Sequence, residues 1–394
     1  MKLYKHQQAI LGKLPKKHLL AWETGTGKTL AAIELAKKTG GDTLVIVPKS
    51  LKEQWQEELL SQSKFSVITK ERFKKLCKTL EKYDCIIVDE AHYFSGIKSQ
   101  MSKALIWYIS KHQIDYVYLL TATPYLSTPW NLFTIARILG YTPHYGKWRK
   151  LYFFPMRIGR RIIYQPKIGI QSNMAKIVNK IGNTVRMDEC RDVPPQIFQT
   201  EYFYLTPEQK KGIKNITDLE HIVKWTKTHQ ICGGTLKSDG YTDNQEFKSE
   251  KLQRVLDLAN EHKKLIIVCR YNHEIKILSE KLKTHPNCVV INGMTTDKAS
   301  VIKTADASIS CVVLVNAACS EGYELPSFPI MVFYSYDFSL KNYIQMIGRI
   351  LRINKLKSNV YLSLVVKGTI DEDVFKSINK KKDFDIAIYN KLRE

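Results

Sequence analysis

Trp22-Glu23-Thr24-Gly25-Thr26-Gly27-Lys28-Thr29 separates two different patterns. Before it runs the apolar Leu19-Leu20-Ala21. After it comes Leu30-Ala31-Ala32-Ile33-Glu34-Leu35-Ala36-Lys37-Lys38, a helical pattern that Gly40-Gly41 stops. The stretch therefore reads strand, glycine turn, helix. Gly25 and Gly27 let backbone N–H groups fold inward with no side chain in the way, and the helix N-terminus adds partial positive charge. Such a loop cradles phosphate oxygens. Lys28 has the reach for β- and γ-phosphates, and the Thr29 hydroxyl suits a Mg²⁺ ligand. Gly-Lys-Thr alone is cheap; its strand-to-helix setting makes residues 24–29 a nucleotide site.

Short apolar runs recur on both sides of amphipathic stretches. In the first half they are Thr43-Leu44-Val45-Ile46-Val47, Cys85-Ile86-Ile87-Val88 and Tyr116-Val117-Tyr118-Leu119-Leu120. They are rich in β-branched residues, about five residues long and not alternating, which suits parallel strands covered on both faces. The second half repeats the pattern at 264–269, 287–293, 311–315, 330–334 and 360–366, with no phosphate loop of its own. Strands alternating with helices imply an open α/β sheet with ligands at the strands' carboxyl ends.

The totals narrow the class further. The chain has 394 residues, enough for two or three domains, and 61 Lys+Arg against 38 Asp+Glu, a net charge of +23. That excess favours a polyanionic partner, nucleic acid before membrane, since no basic amphipathic anchor stands out. Eight cysteines never form a Cys-x-x-Cys pair, which argues against zinc and against a disulfide framework. With no signal-peptide core after Met1-Lys2-Leu3 and no apolar membrane span, an intracellular, cytoplasmic protein is expected.

Two of the first-half runs end in residues with chemistry. Asp89-Glu90-Ala91-His92 follows one of them. An acidic pair leaving a buried strand, downstream of a phosphate loop, suits a metal and a water: Asp89 to hold Mg²⁺, Glu90 to orient or deprotonate the attacking water. His92 reads as a relay to Thr121-Ala122-Thr123-Pro124, whose threonines leave another strand and are candidates for coupling. In the second half, Gln345-Met346-Ile347-Gly348-Arg349-Ile350-Leu351-Arg352 puts Gln345, Arg349 and Arg352 at i, i+4 and i+7, one face of a continuous helix. That face would present an amide and two guanidiniums to a γ-phosphate.

In order and spacing these elements resemble a superfamily 2 nucleic-acid-dependent ATPase, and in detail the Swi/Snf-type translocases. The resemblance implies an α/β fold with two RecA-like lobes of parallel sheet, a P-loop NTPase fold, with small inserted subdomains between them. It implies ATP and Mg²⁺ as cofactors and DNA, duplex favoured, as a partner gripped by its backbone. Leu3-Tyr4-Lys5-His6-Gln7 resembles the adenine-reading segment, with Gln7 on the base. Segments that resemble the family's strand-tracking motifs supply Lys49, Ser50, Thr69 and Lys98, and Ser320-Glu321-Gly322 supplies Ser320 to the strand and Gly322 to the nucleotide. Three departures stand out: Ser95-Gly96 replaces the usual Lys-Asn, Gly322-Tyr323-Glu324-Leu325 stands where Gly-Leu-Asn-Leu is more frequent, and Arg352-Ile353-Asn354-Lys355 lacks the frequent Ile-Gly-Gln ending.

The expected organisation is a nucleotide-binding lobe over 1–140, a basic and aromatic insertion over 141–200, a helical insertion and linker over 201–248, and a second lobe over 249–394. Hydrolysis would then depend on closure of one lobe on the other. Two readings of residues 152–167 stay open: a nucleic-acid grip, or an inserted subdomain with a small core and a solvated rim. The expected activity is an ATP-driven translocase that moves along, remodels or anneals duplex DNA, acting as a monomer. The alternatives are an RNA or single-strand-tracking helicase, and a nucleotide-switched scaffold that binds without moving.

Overall fold

In a computed structural model, the described residues are 3–124, 129–141, 143–158, 161–167, 169–190, 195–216, 220–237, 245–283, 285, 287–319, 323–351 and 358–380. The chain divides into two compact units, residues 1–192 and 193–394.

The first unit contains β1 (Lys17–Trp22), β2 (Thr43–Val47), β3 (Phe65–Thr69), β4 (Cys85–Val88) and β5 (Tyr116–Leu120). A hairpin of β6 (Phe153–Ile158) and β7 (Arg161–Pro166) follows, then β8 (Gly182–Val185). All but the hairpin form one parallel sheet in the order β3-β2-β4-β5-β1-β8. Successive residues of a strand face opposite sides of its sheet. Leu44, Ile46, Ile86, Val88, Val117 and Leu119 accordingly pack into one core, while Val45, Val47, Cys85, Ile87, Tyr118 and Leu120 pack into another. Both faces are covered by helices, which is why these strands read as unbroken apolar runs.

The second unit opens with β9 (Ile197–Phe203) and a two-stranded ribbon of β10 (Thr235–Leu236) and β11 (Gln245–Glu246). Five further strands follow: β12 (Lys264–Cys269), β13 (Cys288–Ile291), β14 (Cys311–Asn316), β15 (Ile330–Phe333) and β16 (Val360–Val366). They form a second parallel sheet, β13-β14-β12-β15-β16-β9. Two six-stranded parallel sheets, each flanked by helices, make an α/β fold of two RecA-like lobes among the described residues.

The sheets reach further into the middle of the chain than boundaries at 140, 200 and 248 allow. β8 pairs with β1 from Leu19↔Gly182 to Trp22↔Val185, so part of the expected insertion belongs to the first sheet. β9 pairs with β16 over seven residues, which places Ile197 to Phe203 in the second. Thr206 caps the helix Pro207–Lys214, its hydroxyl accepting from Gln209 N. Among the described residues, no helix is long and apolar enough to cross a membrane.

Candidate active site

The phosphate-loop segment leaves β1 at Trp22 and enters the helix Lys28–Thr39. Gly25 and Gly27 both take the left-handed conformation, at φ 83° and 81°. Gly27 has a second reason to lack a side chain: a Cβ there would lie 2.4 Å from Gln7 Nε2. Gln7 is fully buried; its Nε2 donates to Gly27 O at 3.0 Å and its Oε1 accepts from Tyr4 N at 2.8 Å. A ring nitrogen of His6 lies 2.9 Å from Thr26 O, and Thr26 Oγ1 donates to Glu23 O at 2.7 Å. The helix Lys5–Lys13 thus braces the loop from outside, a role for Gln7 that the sequence resemblance did not suggest. Lys28 Nζ donates to Trp22 O at 2.8 Å and Glu23 O at 3.0 Å, which holds the ammonium against the strand end.

The acidic pair leaves β4, two strands from β1 in the same sheet. Asp89 N donates to Ile46 O at 2.9 Å, so the chain stays in the sheet to the carboxylate itself. Asp89 is buried; Oδ2 accepts from the Trp55 indole at 2.8 Å and Oδ1 from Glu90 N at 2.8 Å. Burial, and then the Glu90 charge, push the Asp89 carboxyl up to about 6, against the pull of Trp55 and Lys28. A cation bound at this carboxylate would hold it ionised. Glu90 sits at φ 49°, ψ 52°, a left-handed conformation that costs a non-glycine residue on the order of 1–2 kcal/mol. It opens the short turn Ala91–Phe94, and its Oε2 lies 3.0 Å from His92 Nδ1.

The strand between β1 and β4 is β5, whose exit carries both threonines. Thr121 N donates to Leu20 O at 3.2 Å, and Thr121 Oγ1 accepts from Thr123 N at 3.0 Å. Both side chains are buried. Phosphate loop, threonine turn and acidic pair therefore leave the carboxyl ends of three adjacent strands. These groups suit a magnesium nucleotide: glycine backbone for phosphates, an ammonium, a hydroxyl and a buried carboxylate for the metal. Trp55 belongs to this site through Asp89. An apolar residue with one indole N–H gives no sequence sign of the carboxylate it will meet.

Three of the expected strand contacts, Lys49, Ser50 and Thr69, also lie at strand ends. Lys49 and Ser50 form a short turn after β2, both exposed. Thr69 ends β3 and caps the helix Lys70–Leu76, accepting from Arg72 N at 3.3 Å. Lys98 is exposed.

In the second unit the expected helical face is cut short. The helix Leu340–Ile347 ends at Gly348, so Gln345 is helical but Arg349 lies in the following turn. Arg349 N returns to Met346 O at 2.9 Å, and Leu325 N donates to Arg349 O at 2.9 Å, which bends the chain out of the helix. The Arg349 side chain is buried, with Nη1 donating to Tyr323 O at 2.7 Å. Gln345 is buried too. Arg352, Ser320 and Gly322 lie outside the described residues. A cavity of about 770 Å³ opens at the carboxyl ends of β12, β13 and β14, lined among others by Arg270, Asn272, Asn292 and Asn316. Asn316 Nδ2 donates to Arg270 O at 3.2 Å and Asn272 Oδ1 at 2.8 Å. The legible signal for these residues was a polar side chain at or just after the end of each buried run.

The Helicase conserved C-terminal domain family matches residues 248–354, which covers this strand series. Three curated proteins align with most of the chain. The CHD3-type chromatin-remodeling factor CHR7 of Arabidopsis thaliana is 20% identical, over 92% of this chain and 35% of its own. The CHD3-type factor PICKLE, from the same plant, is 23% identical over 79% and 24%. A SWI/SNF-related matrix-associated actin-dependent regulator of chromatin subfamily A-like protein 1 from Xenopus tropicalis is 22% identical over 92% and 42%. The chain is similar to superfamily 2 proteins of the Swi/Snf type. It spans less than half the length of these curated relatives. The phosphate-loop segment and acidic pair lie in the first unit, and the family match in the second.

Proposed function

We propose that this Swi/Snf-type chain is a nucleic-acid-dependent ATPase that moves along or remodels duplex DNA. The observation that carries the proposal is the succession of three strand ends in the first sheet: phosphate loop after β1, threonines after β5, acidic pair after β4. Residues 24–29 hold the triphosphate, with Gln7 at the base and against the loop. Mg²⁺ on Thr29 and Asp89 offsets the phosphate charge when bound. Glu90, oriented by His92, takes the proton of the attacking water. Thr121 and Thr123 pass the state of that site to the neighbouring loops.

From the second unit, Gln345, Arg349 and Arg352 act on the charge of the transferred phosphoryl group, with Gly322 on the nucleotide. Arg349 Nη1 donates to Tyr323 O, so the role requires the guanidinium to exchange such bonds for the phosphoryl oxygens. Lys49, Ser50, Thr69, Lys98 and Ser320 grip phosphates, which makes binding weakly sequence-dependent and steeply salt-dependent. The charge of +23 supports a polyanionic track.

The test is ATP turnover with duplex DNA present. Lys28→Ala is expected to lower it at least about 100-fold, since it removes the charge that meets the transferring phosphate. Near-normal hydrolysis by that variant contradicts the assigned site. Arg349→Ala is expected to keep ATP binding and lose turnover by about 10³-fold. Collapsed ATP affinity with an unchanged rate removes Arg349 from that role.

A further inference from the structure

Between Asp115 and Asp188 the chain has no acidic residue and eleven basic ones. The hairpin of β6 and β7 lies in this stretch, paired from Phe153↔Pro166 to Ile158↔Arg161. Its base is anchored: the buried Phe153 stacks on Trp130 at 4.5 Å, and Lys167 N donates to Tyr152 O at 2.9 Å. Beyond the base, exposed residues lie on both of its faces.

Strand alternation and the register put Arg157, Ile162 and Tyr164 on one face, and Phe154, Met156 and Ile163 on the other. Ile162 is 61% exposed, Phe154 40% and Tyr164 37%. The Arg149 guanidinium lies 4.7 Å from the Tyr164 ring centre, a cation over an aromatic that is itself partly open. A two-stranded ribbon is marginal in water by itself, and exposing apolar side chains on both faces adds cost.

We propose that this hairpin is a wedge that parts nucleic-acid strands at a junction between double- and single-stranded segments. The inference rests on the nucleic-acid-dependent activity proposed above and adds the element that meets the fork. A protein partner docking on one side would need one apolar face. An element apolar on both faces suits a partner that surrounds it, as two diverging strands do. Aromatic rings offer stacking to unpaired bases whatever their sequence, and the flanking cations take the phosphates. Insertion into a lipid bilayer fits less well, because the sequence joining the strands is Gly159-Arg160, followed by Arg161.

The experiment uses the full chain and three DNA probes of equal length: a fork with unpaired arms, a blunt duplex and a single strand. Binding is read by fluorescence anisotropy at one fixed salt concentration. Phe154→Ala with Tyr164→Ala, one substitution per face, should weaken fork binding about 10- to 100-fold. Blunt-duplex binding should change less than about threefold, with DNA-free ATP turnover and melting temperature unchanged. If the double variant melts early, Ile162→Ser, at 61% exposure, is read against the same thresholds. Equal losses on fork and blunt duplex overturn the wedge, as does a fork loss below about threefold. Loss of binding to phosphatidylserine vesicles with fork binding intact also overturns it, in favour of a membrane contact. Failure of the parent proposal looks different: wild-type turnover then responds to no polynucleotide, whatever the hairpin carries.

Discussion

Buried carboxylates respond to their partners, and two in the second unit move in opposite directions. Asp371 meets Lys251 Nζ at 2.7 Å and His229 Nε2 at 3.1 Å; although burial raises its pKa, these partners hold it down at about 2. Its stabilising contribution is complete above about pH 4 and is lost as pH falls towards 2. Glu274 accepts from Ser335 Oγ at 2.5 Å and Tyr271 N at 3.1 Å, but burial dominates and pushes it from 4.5 up to about 7. Folding therefore favours its protonated form, so this contribution is complete below about pH 4.5 and is lost as pH rises through 7. The shift corresponds to a cost on the order of 3 kcal/mol above neutrality. Buried His229, with its pKa lowered chiefly by desolvation, works the other way as pH falls below 6.5. The clean readout is thus a difference. The Glu274→Gln variant should gain stability relative to wild type between pH 5 and 8 in denaturant titrations. A difference that stays flat across that range contradicts the assignment.

At the scale of elements, the legible parts were those whose burial leaves a pattern. The runs at 43–47, 85–88 and 116–120 are strands over those same residues, because a strand covered on both faces must be apolar throughout. The polar Gly182-Asn183-Thr184-Val185 gave no such signal, yet β8 closes the edge of the first sheet beside β1. What admits it is backbone proximity. A Cβ on Gly182 would sit 2.0 Å from the Leu19 carbonyl oxygen. Gly182→Ala should therefore push β8 off β1, at a cost of about 3 kcal/mol or more, as overpacking against backbone does. A melting temperature within about 2 °C of wild type would show that the edge accommodates the methyl. The helix Leu340–Ile347 shows the opposite limit. Helical spacing extends through Arg352, but Gly348 and the bond from Leu325 N to Arg349 O end the helix early. A long-range backbone bond of that kind has no local sequence signature. In the candidate active site, the loop glycines, Lys28 and the acidic pair were legible from their strand-exit positions. Trp55 on Asp89 and Gln7 on Gly27 arise only from packing.

For the whole molecule, there are two parallel sheets, one with the phosphate-loop segment and one with the helicase C-terminal match, and the proposed activity is that of a nucleic-acid-driven ATPase. The excess of positive charge over the chain supports the proposed affinity for a polyanion, which salt should reduce steeply. The deciding measurement is the steady-state ATP hydrolysis rate of the full chain with no polymer, duplex DNA, single-stranded DNA and RNA in parallel. Hydrolysis should be slow without polymer and rise at least about tenfold on duplex DNA. A rate that rises on RNA alone, or that no polynucleotide raises, would contradict the proposal.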